Sequence, residues 1–398
     1  MTKSDIIAAA FCAWGRELYQ TTSLTMLART LGVTKPALYR HFKNKQALLK
    51  GMYESFLDDY VTAIKPHYDR AIEAADPREG LLIFTRAVID YYGRNMDAFI
   101  FSLIKVYADL EIGSMREQLL VRGMDMRKLG RLEENRDCYP STIHLLIATL
   151  TFGVAFFHCY GHRPEETPSE AAIQELITSL EEKASRGLGF NREWVDGIDY
   201  EQLERWAVER AIEPQEEDEL LRAVAGAVAE AGPWNASMDM VARRSGLSKS
   251  GLYAHFRSKQ DMLRQLFMIE FQRMADYAEL CVRESTVPGE QLYLAIISIG
   301  VYLRSRREIL IAMDWVRTRR FDLGLTIPPR IYNIFSDIRI PQPGAGETLP
   351  EQSVQWILFL IVNTLMRRSV GTDFPGIAND SFRRLYRFIV LGIQGFNL

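Results

Sequence analysis

The sequence predicts an all-α protein built twice over, and three observations carry that expectation. A stretch from Ser23 to Lys50, SLTMLARTLGVTKPALYRHFKNKQALLK, returns from Ser237 to Arg264 as SMDMVARRSGLSKSGLYAHFRSKQDMLR, identical at 13 of 28 positions without a gap. The repeat runs on beyond it: Pro77 and Pro288 each open an apolar helical run, and that offset of 211 lays Glu79 on Glu290, Leu81 on Leu292 and Tyr91 on Tyr302. Nowhere does the chain sustain the alternation of apolar and polar residues that strands need.

Taken in order, Ser23 and Ser237 are placed to cap a helix whose inward face is Met26, Leu27 and Leu31 in one copy and Met240, Val241 and Leu247 in the other. Gly32 and Gly246 end that helix, because glycine takes the left-handed conformation of a tight helix-to-helix turn at little cost. Thr34 or Ser248 then caps a short helix, KPALYRHF or KSGLYAHF, and Pro36 fits its first turn, where amide hydrogens lack intrahelical partners. Leu38 with Phe42, and Leu252 with Phe256, fall four apart and tie this helix to a core. Lys35, Ala37, Tyr39, Arg40 and His41 are left for an outside partner, as are Lys249, Gly251, Tyr253, Ala254 and His255. The first copy carries six Lys or Arg and no Asp or Glu, the second six against two, although the whole chain has a net charge of -3. Locally basic faces of this shape point to DNA.

After the first head a helix is expected from Lys45 to about Asp76, and a second from Pro77; Pro288 opens the counterpart. The apolar runs Ser141 to Gly161 and Glu351 to Gly371 correspond at an offset of 210, and each precedes a last helix, near 169–185 and 378–395. Their most apolar parts, Leu145 to Phe157 and Trp356 to Met366, fall short of the roughly 20 residues of a membrane span, so they read as buried helices. Residues 186–212 read as a loop and a short helix, a linker able to reach roughly 60 Å if half helical and half extended. The acidic run Glu213 to Glu219 suits the start of the second copy's first helix. The expected division is a head at 1–50, a helical body at 51–186, a linker at 187–213, a second head at 214–264 and a second body at 265–398. Cys12, Cys138, Cys159 and Cys281 show no CxxC spacing and the N-terminus has no long apolar region, which fits a reducing cytoplasm.

The run Leu38-Tyr39-Arg40-His41-Phe42-Lys43-Asn44-Lys45-Gln46-Ala47-Leu48-Leu49 resembles the LYxHFxxKxxLL pattern of the TetR/AcrR family of transcriptional repressors, and Leu252 to Leu263 repeats it with Met262 for Leu48. The resemblance implies a DNA-reading first turn at Thr34, Lys35, Pro36 and Ala37, with Arg40 behind it, and phosphate contacts from Tyr39, His41 and Lys45. In the second head it implies Ser248, Lys249, Ser250 and Gly251, with Tyr253, His255 and Lys259. Thr25 and Asp239 depart from the family, standing where some members place a base-reading arginine. Family members are homodimers of shorter chains, so the resemblance implies that this chain builds the dimer within itself, as an intrachain pseudo-dimer of two ligand-binding and dimerisation bodies; a further homodimer stays open.

The resemblance also implies a small, largely apolar effector that releases DNA. Candidate lining residues are Tyr91, Phe99, Tyr107 and Phe152 in the first half and Tyr302, Met313, Trp315 and Trp356 in the second, though rings at helical spacing are more often plain core. His158, Cys159 and His162, with Cys138, make a weak metal pattern that Gly161 interrupts, so no metal and no cofactor is expected. No nucleophile-base order, phosphate loop or carboxylate pair suggests an enzyme. Two other readings stay open: an architectural, weakly sequence-specific DNA binder, and a protein-binding module with degenerate heads.

Overall fold

The computed structural model describes residues 2–16, 23–30, 32–108, 115–129, 140–158, 167–210, 219–319, 327–336, 338, 349–369 and 379–396, and every regular element among them is helical. The chain gathers into two compact units, residues 1–136 with 153–182, and residues 137–152 with 183–397.

The first unit begins with α1 (Lys3–Arg16), α2 (Leu24–Thr30) and α3 (Lys35–His41), followed by the long α4 (Lys45–Glu73) and by α5 (Pro77–Arg94), α6 (Met96–Ala108), α7 (Met115–Val121) and α8 (Met126–Leu129). Helix α4 lies along α5, and α1 packs on α6. The reason is visible in α4: Met52, Phe56, Tyr60, Ile64, Tyr68 and Ala71 recur at three- and four-residue intervals and are all buried. Pro77 starts α5 behind an Asp76 cap, whose side chain accepts from the Arg78 amide at 2.9 Å. Helix α9 (Thr142–Phe156) closes on a wider π turn at residues 157–158. Beyond it, α10 (Glu170–Arg186) returns along α5 through Arg94–Glu170 and Arg86–Glu181 ion pairs.

The second unit repeats the order with α13 (Glu219–Asn235), α14 (Met238–Ser245), α15 (Lys249–His255), α16 (Lys259–Val282), α17 (Pro288–Ser305), α18 (Arg307–Arg319), α19 (Pro329–Ser336), α20 (Glu351–Ser369) and α21 (Asn379–Leu391). Here α16 packs on α17 and α13 on α18, the same partners in the same order. One hydrogen bond recurs in both bodies. Tyr91 Oη donates to Asp59 at 2.8 Å and Tyr302 Oη to Glu270 at 2.8 Å, each pair 32 residues apart.

Within this second unit the middle of α9 meets α20. Trp356 Nε1 donates to Thr149 Oγ1 at 3.1 Å, the Phe152 and Phe359 rings lie 5.6 Å apart, and Lys183 at the end of α10 holds its ammonium 4.7 Å above the Trp356 ring. Arg384 of α21 donates to the Pro140 carbonyl at 3.1 Å.

The segment expected as a linker, a loop with a short helix, does carry that helix and packs within the second unit. It folds as α11 (Glu193–Asp196) and α12 (Tyr200–Glu209), packed on α17, with α11 also on α21. Leu203 and Ala207 form one apolar stripe, and between them Glu204 is buried, accepting from Tyr293 Oη at 2.7 Å and from Arg383 at 2.7 and 2.8 Å. Tyr386 Oη bonds the Trp194 and Gly289 carbonyls, and Tyr277 Oη bonds that of Ala207. A buried carboxylate with three charge-assisted bonds fixes the segment in place, so the reach estimated for a tether does not apply to 187–210. The acidic run lies outside the described residues except for Glu219. Among the described residues no helix is long and apolar enough to cross a membrane.

Candidate nucleic-acid interface

Each head is assembled by local chemistry the sequence specifies. Ser23 Oγ accepts the Met26 amide at 3.1 Å and Ser237 Oγ the Met240 amide at 3.2 Å, so both α2 and α14 are serine-capped. Both are followed by a left-handed glycine, Gly32 at φ +64° and Gly246 at φ +69°. Around Gly32 the Gly32 amide donates to the Arg29 carbonyl and the Val33 amide to that of Ala28, the pair of bonds that closes a helix end of this kind. The inward faces are Leu24, Leu27 and Ala28, and Met238, Val241 and Ala242. Met26 and Leu247, expected inside, are exposed instead. A seven-residue helix buries one i, i+3, i+4 stripe, here set by Leu24, and Leu247 sits past the glycine, where helical phase no longer holds. Leu31 lies outside the described residues.

The reading helices α3 and α15 are held by Leu38 with Phe42 and by Leu252 with Phe256, all buried. Ser248 caps α15 by accepting the Gly251 amide at 3.0 Å. Thr34 does not cap α3 with its side chain. Pro36 has removed one of the amides such a cap would use, and the Ala37 amide bonds the Thr34 carbonyl. Outward, Lys35, Pro36, Tyr39, Arg40 and His41 are exposed and Ala37 half-buried; Lys249, Ser250, Tyr253, Ala254 and His255 are exposed and Gly251 half-buried. The two tyrosines present 43% and 50% of their surface. Apart from half-buried Ala37 and Gly251, the expected reading residues of α3 and α15 are thus open to solvent.

Lys45 and Lys259 occupy the first positions of α4 and α16, behind Asn44 and Ser258 caps that accept the Ala47 amide at 2.7 Å and the Asp261 amide at 3.1 Å. Both lysines are half-buried, and burial pulls both ammonium groups below the usual lysine range. In the second head Lys249 lies 3.1 Å from Asp239, a pairing across the turn that spacing along the chain did not show.

The candidate effector residues fall into separate places. Tyr91 and Phe99 share an aromatic cluster of the first unit, joined by Tyr92 at 5.2 and 5.6 Å, and His158 lies 6.0 Å from Phe99 with its Nε2 2.8 Å from the Tyr92 carbonyl. Phe11 of α1 meets Phe101 of α6 at 4.9 Å, and Phe101 meets Phe56 of α4, so rings link this head to its body. Phe152, Tyr302, Met313 and Trp356 are in the second unit. Tyr302 and Trp356 spend their polar groups on Glu270 and Thr149, and Met313 is buried. The Tyr107 and Trp315 side chains lie outside the described residues, as do Cys138, Cys159 and His162. An open depression of about 500 Å³ in the second unit is lined by Glu201, Glu204, Arg205, Val208, Glu209 and Arg383, a charged wall that does not suit an apolar molecule.

A family model described as bacterial regulatory proteins, tetR family, matches the sequence twice, at residues 6–52 and 220–266. Both matches run from the first helix of a head to the first turns of the long helix behind it. The crystal structure of the TetR family transcriptional regulator PfmR from Thermus thermophilus is similar at 22% identity over 44% of this chain and 95% of that chain, with a TM-score of 0.33.

Proposed function

We propose that the chain is a regulator of the tetR kind, a reading supported by the family match at both of its heads, and that it is a repressor that reads a two-part operator with a single polypeptide. The observation that carries this is the pairing of two outward faces, each a basic helix anchored by a buried Leu–Phe pair and turned on a left-handed glycine. Lys35 and Lys249 are placed to donate to guanine, and Ala37 to meet a thymine methyl, while Tyr39, His41, Tyr253 and His255 reach phosphate. Lys45 and Lys259 are the phosphate anchors. A cation in the first turn of a helix opposes the helix dipole, and a DNA phosphate at that end removes the conflict.

Domains follow as heads at 1–50 and 214–264 and bodies at 51–186 and 265–398. The joining of α9 to α20 inside one unit favours a pseudo-dimer made by one chain, so light scattering should return about the chain mass of 45.7 kDa; a stable species of twice that mass would contradict it. Release is by a small, mostly apolar effector, for which the aromatic cluster around Tyr91, Tyr92 and Phe99 is the favoured place because α6, which carries Phe99 and Phe101, also packs on α1 of the head.

The test is selection of bound duplexes from a random-sequence library by the full chain. A defined two-part motif is the expected product, and Lys45→Ala should flatten the salt dependence by about 0.9 in log-log slope. Binding without sequence enrichment would favour the architectural reading. An effector found by screening lipophilic compounds should weaken binding to the selected duplex roughly 5- to 150-fold.

A further inference from the structure

The heads differ in sign as well as in shape. Asp239 of α14 stands where α2 has Thr25, and its carboxylate holds the Lys249 ammonium at 3.1 Å from one oxygen and 3.3 Å from the other. Both side chains are about half exposed, at 54% and 56%, so the pair forms on the face that α15 turns outward. Lys35, the matching lysine of α3, has no acid anywhere between Ser23 and Lys50; its ammonium rests 5.8 Å from the Tyr39 ring. The other acid between Ser237 and Arg264, Asp261, stands where α4 has Ala47, two residues after the anchor Lys259. It accepts the Arg257 amide at 2.9 Å and the Gln265 side chain at 3.2 Å, and these bonds hold its carboxyl below the usual range, so it stays ionised.

We propose that Asp239 acts as a built-in stand-in for DNA phosphate that makes the second head the weaker reader and leaves the first head to engage its half-site first. The inference rests on the DNA-reading proposal above. When phosphate or guanine takes the Lys249 ammonium, the Asp239 carboxylate is left facing a polyanion and recruits a cation from solution. The net release of counterions is then smaller by about one than at a head without the acid. Asp239 therefore sets affinity and order of engagement by competing for Lys249 rather than by touching a base.

The test exchanges the two residues in the full-length chain, as Asp239→Thr and Thr25→Asp, with binding to a mixed-sequence duplex several helical turns long titrated across a range of salt. Asp239→Thr should tighten binding roughly 1.5- to 5-fold, the equilibrium equivalent of an exposed ion pair. It should also steepen the salt slope by about 0.9. Thr25→Asp should do the reverse. Asp239→Asn keeps the shape of the side chain and should give the same gain, which guards against a loss of α14 stability in the threonine variant. Unchanged or weaker binding in Asp239→Asn, with an unchanged slope, would overturn the proposal and make Asp239 a positioning residue for Lys249. If the wild-type chain binds no duplex even at low salt, it is the DNA-reading proposal that falls, and this one with it.

Discussion

The two heads share their interior and differ at their surface. Leu38, Phe42, Leu252 and Phe256 are equally buried, and Gly32 and Gly246 turn the chain at nearly the same φ. Outside, the second head satisfies itself: serines cap all three of α14, α15 and α16, and Lys249 is paired. The first gives its reading helix a proline instead of a side-chain cap and has no Asp or Glu between Ser23 and Lys50. Packing constrains the inside of both copies alike, whereas a fused pair is free to let its reading surfaces diverge.

The bodies show a parallel contrast, and it offers the largest effect. The acid that accepts the repeated tyrosine bond is exposed Asp59 in the first unit but buried Glu270 in the second, where it also meets Arg306 at 2.6 Å and Arg273 at 3.2 Å. Glu270→Ala leaves two arginines facing a buried gap and should cost about 3–5 kcal/mol in denaturant unfolding. Asp59→Ala removes one hydrogen bond and should cost only about 1 kcal/mol. Equal costs would mean that the two bodies use this position alike.

A middle-sized effect sharpens the role of the α10–α20 contact. Burial lowers the Lys183 ammonium from 10.5 to about 8 where it sits against the Trp356 ring. Between those values the unfolded chain holds the proton and the folded one does not, so this lysine's contribution to stability rises with pH through that window. Lys183→Met should therefore be more stable than wild type near about pH 7, with an advantage that shrinks by about pH 9.5. A pH-independent difference in melting temperature would place Lys183 in water.

The smallest effect lies in α15. Gly251→Ala should stabilise the second head by up to about 1 kcal/mol through helix propensity. A Cβ there would meet only Ser248 Oγ, at 3.3 Å, and Leu247 Cβ, at 4.0 Å. Destabilisation instead would show that the Ser248 cap cannot yield.

Much of the heads was legible because capping serines, the turn glycines and the four-residue Leu–Phe spacing each act within a few residues. Met26 and Leu247 were misplaced because periodicity fixes a helical face only when the helix is long enough to set its phase. The Asp239–Lys249 pair and the packing of 187–210 were not legible. The first depends on the crossing of two helices, and the second on Glu204 finding Tyr293 and Arg383, 89 and 179 residues away. Rings at helical spacing marked the bodies but could not separate a ring that lines a cavity from one, like Trp356, that fills a core.

The most direct test of unequal heads is competition between the selected operator and two symmetrised versions, each built from one of its half-sites, against wild type and a variant carrying Ser250→Pro, Gly251→Ala and Ala254→Arg. The wild-type chain should prefer the native, imperfect palindrome, whose half-sites mirror two different reading helices about one or more helical turns apart. The triple variant should shift its preference to the symmetric site made of two first-head half-sites. If both proteins bind that symmetric site equally well and in preference to the native one, the heads read alike and the asymmetry of the two halves has no bearing on sequence choice.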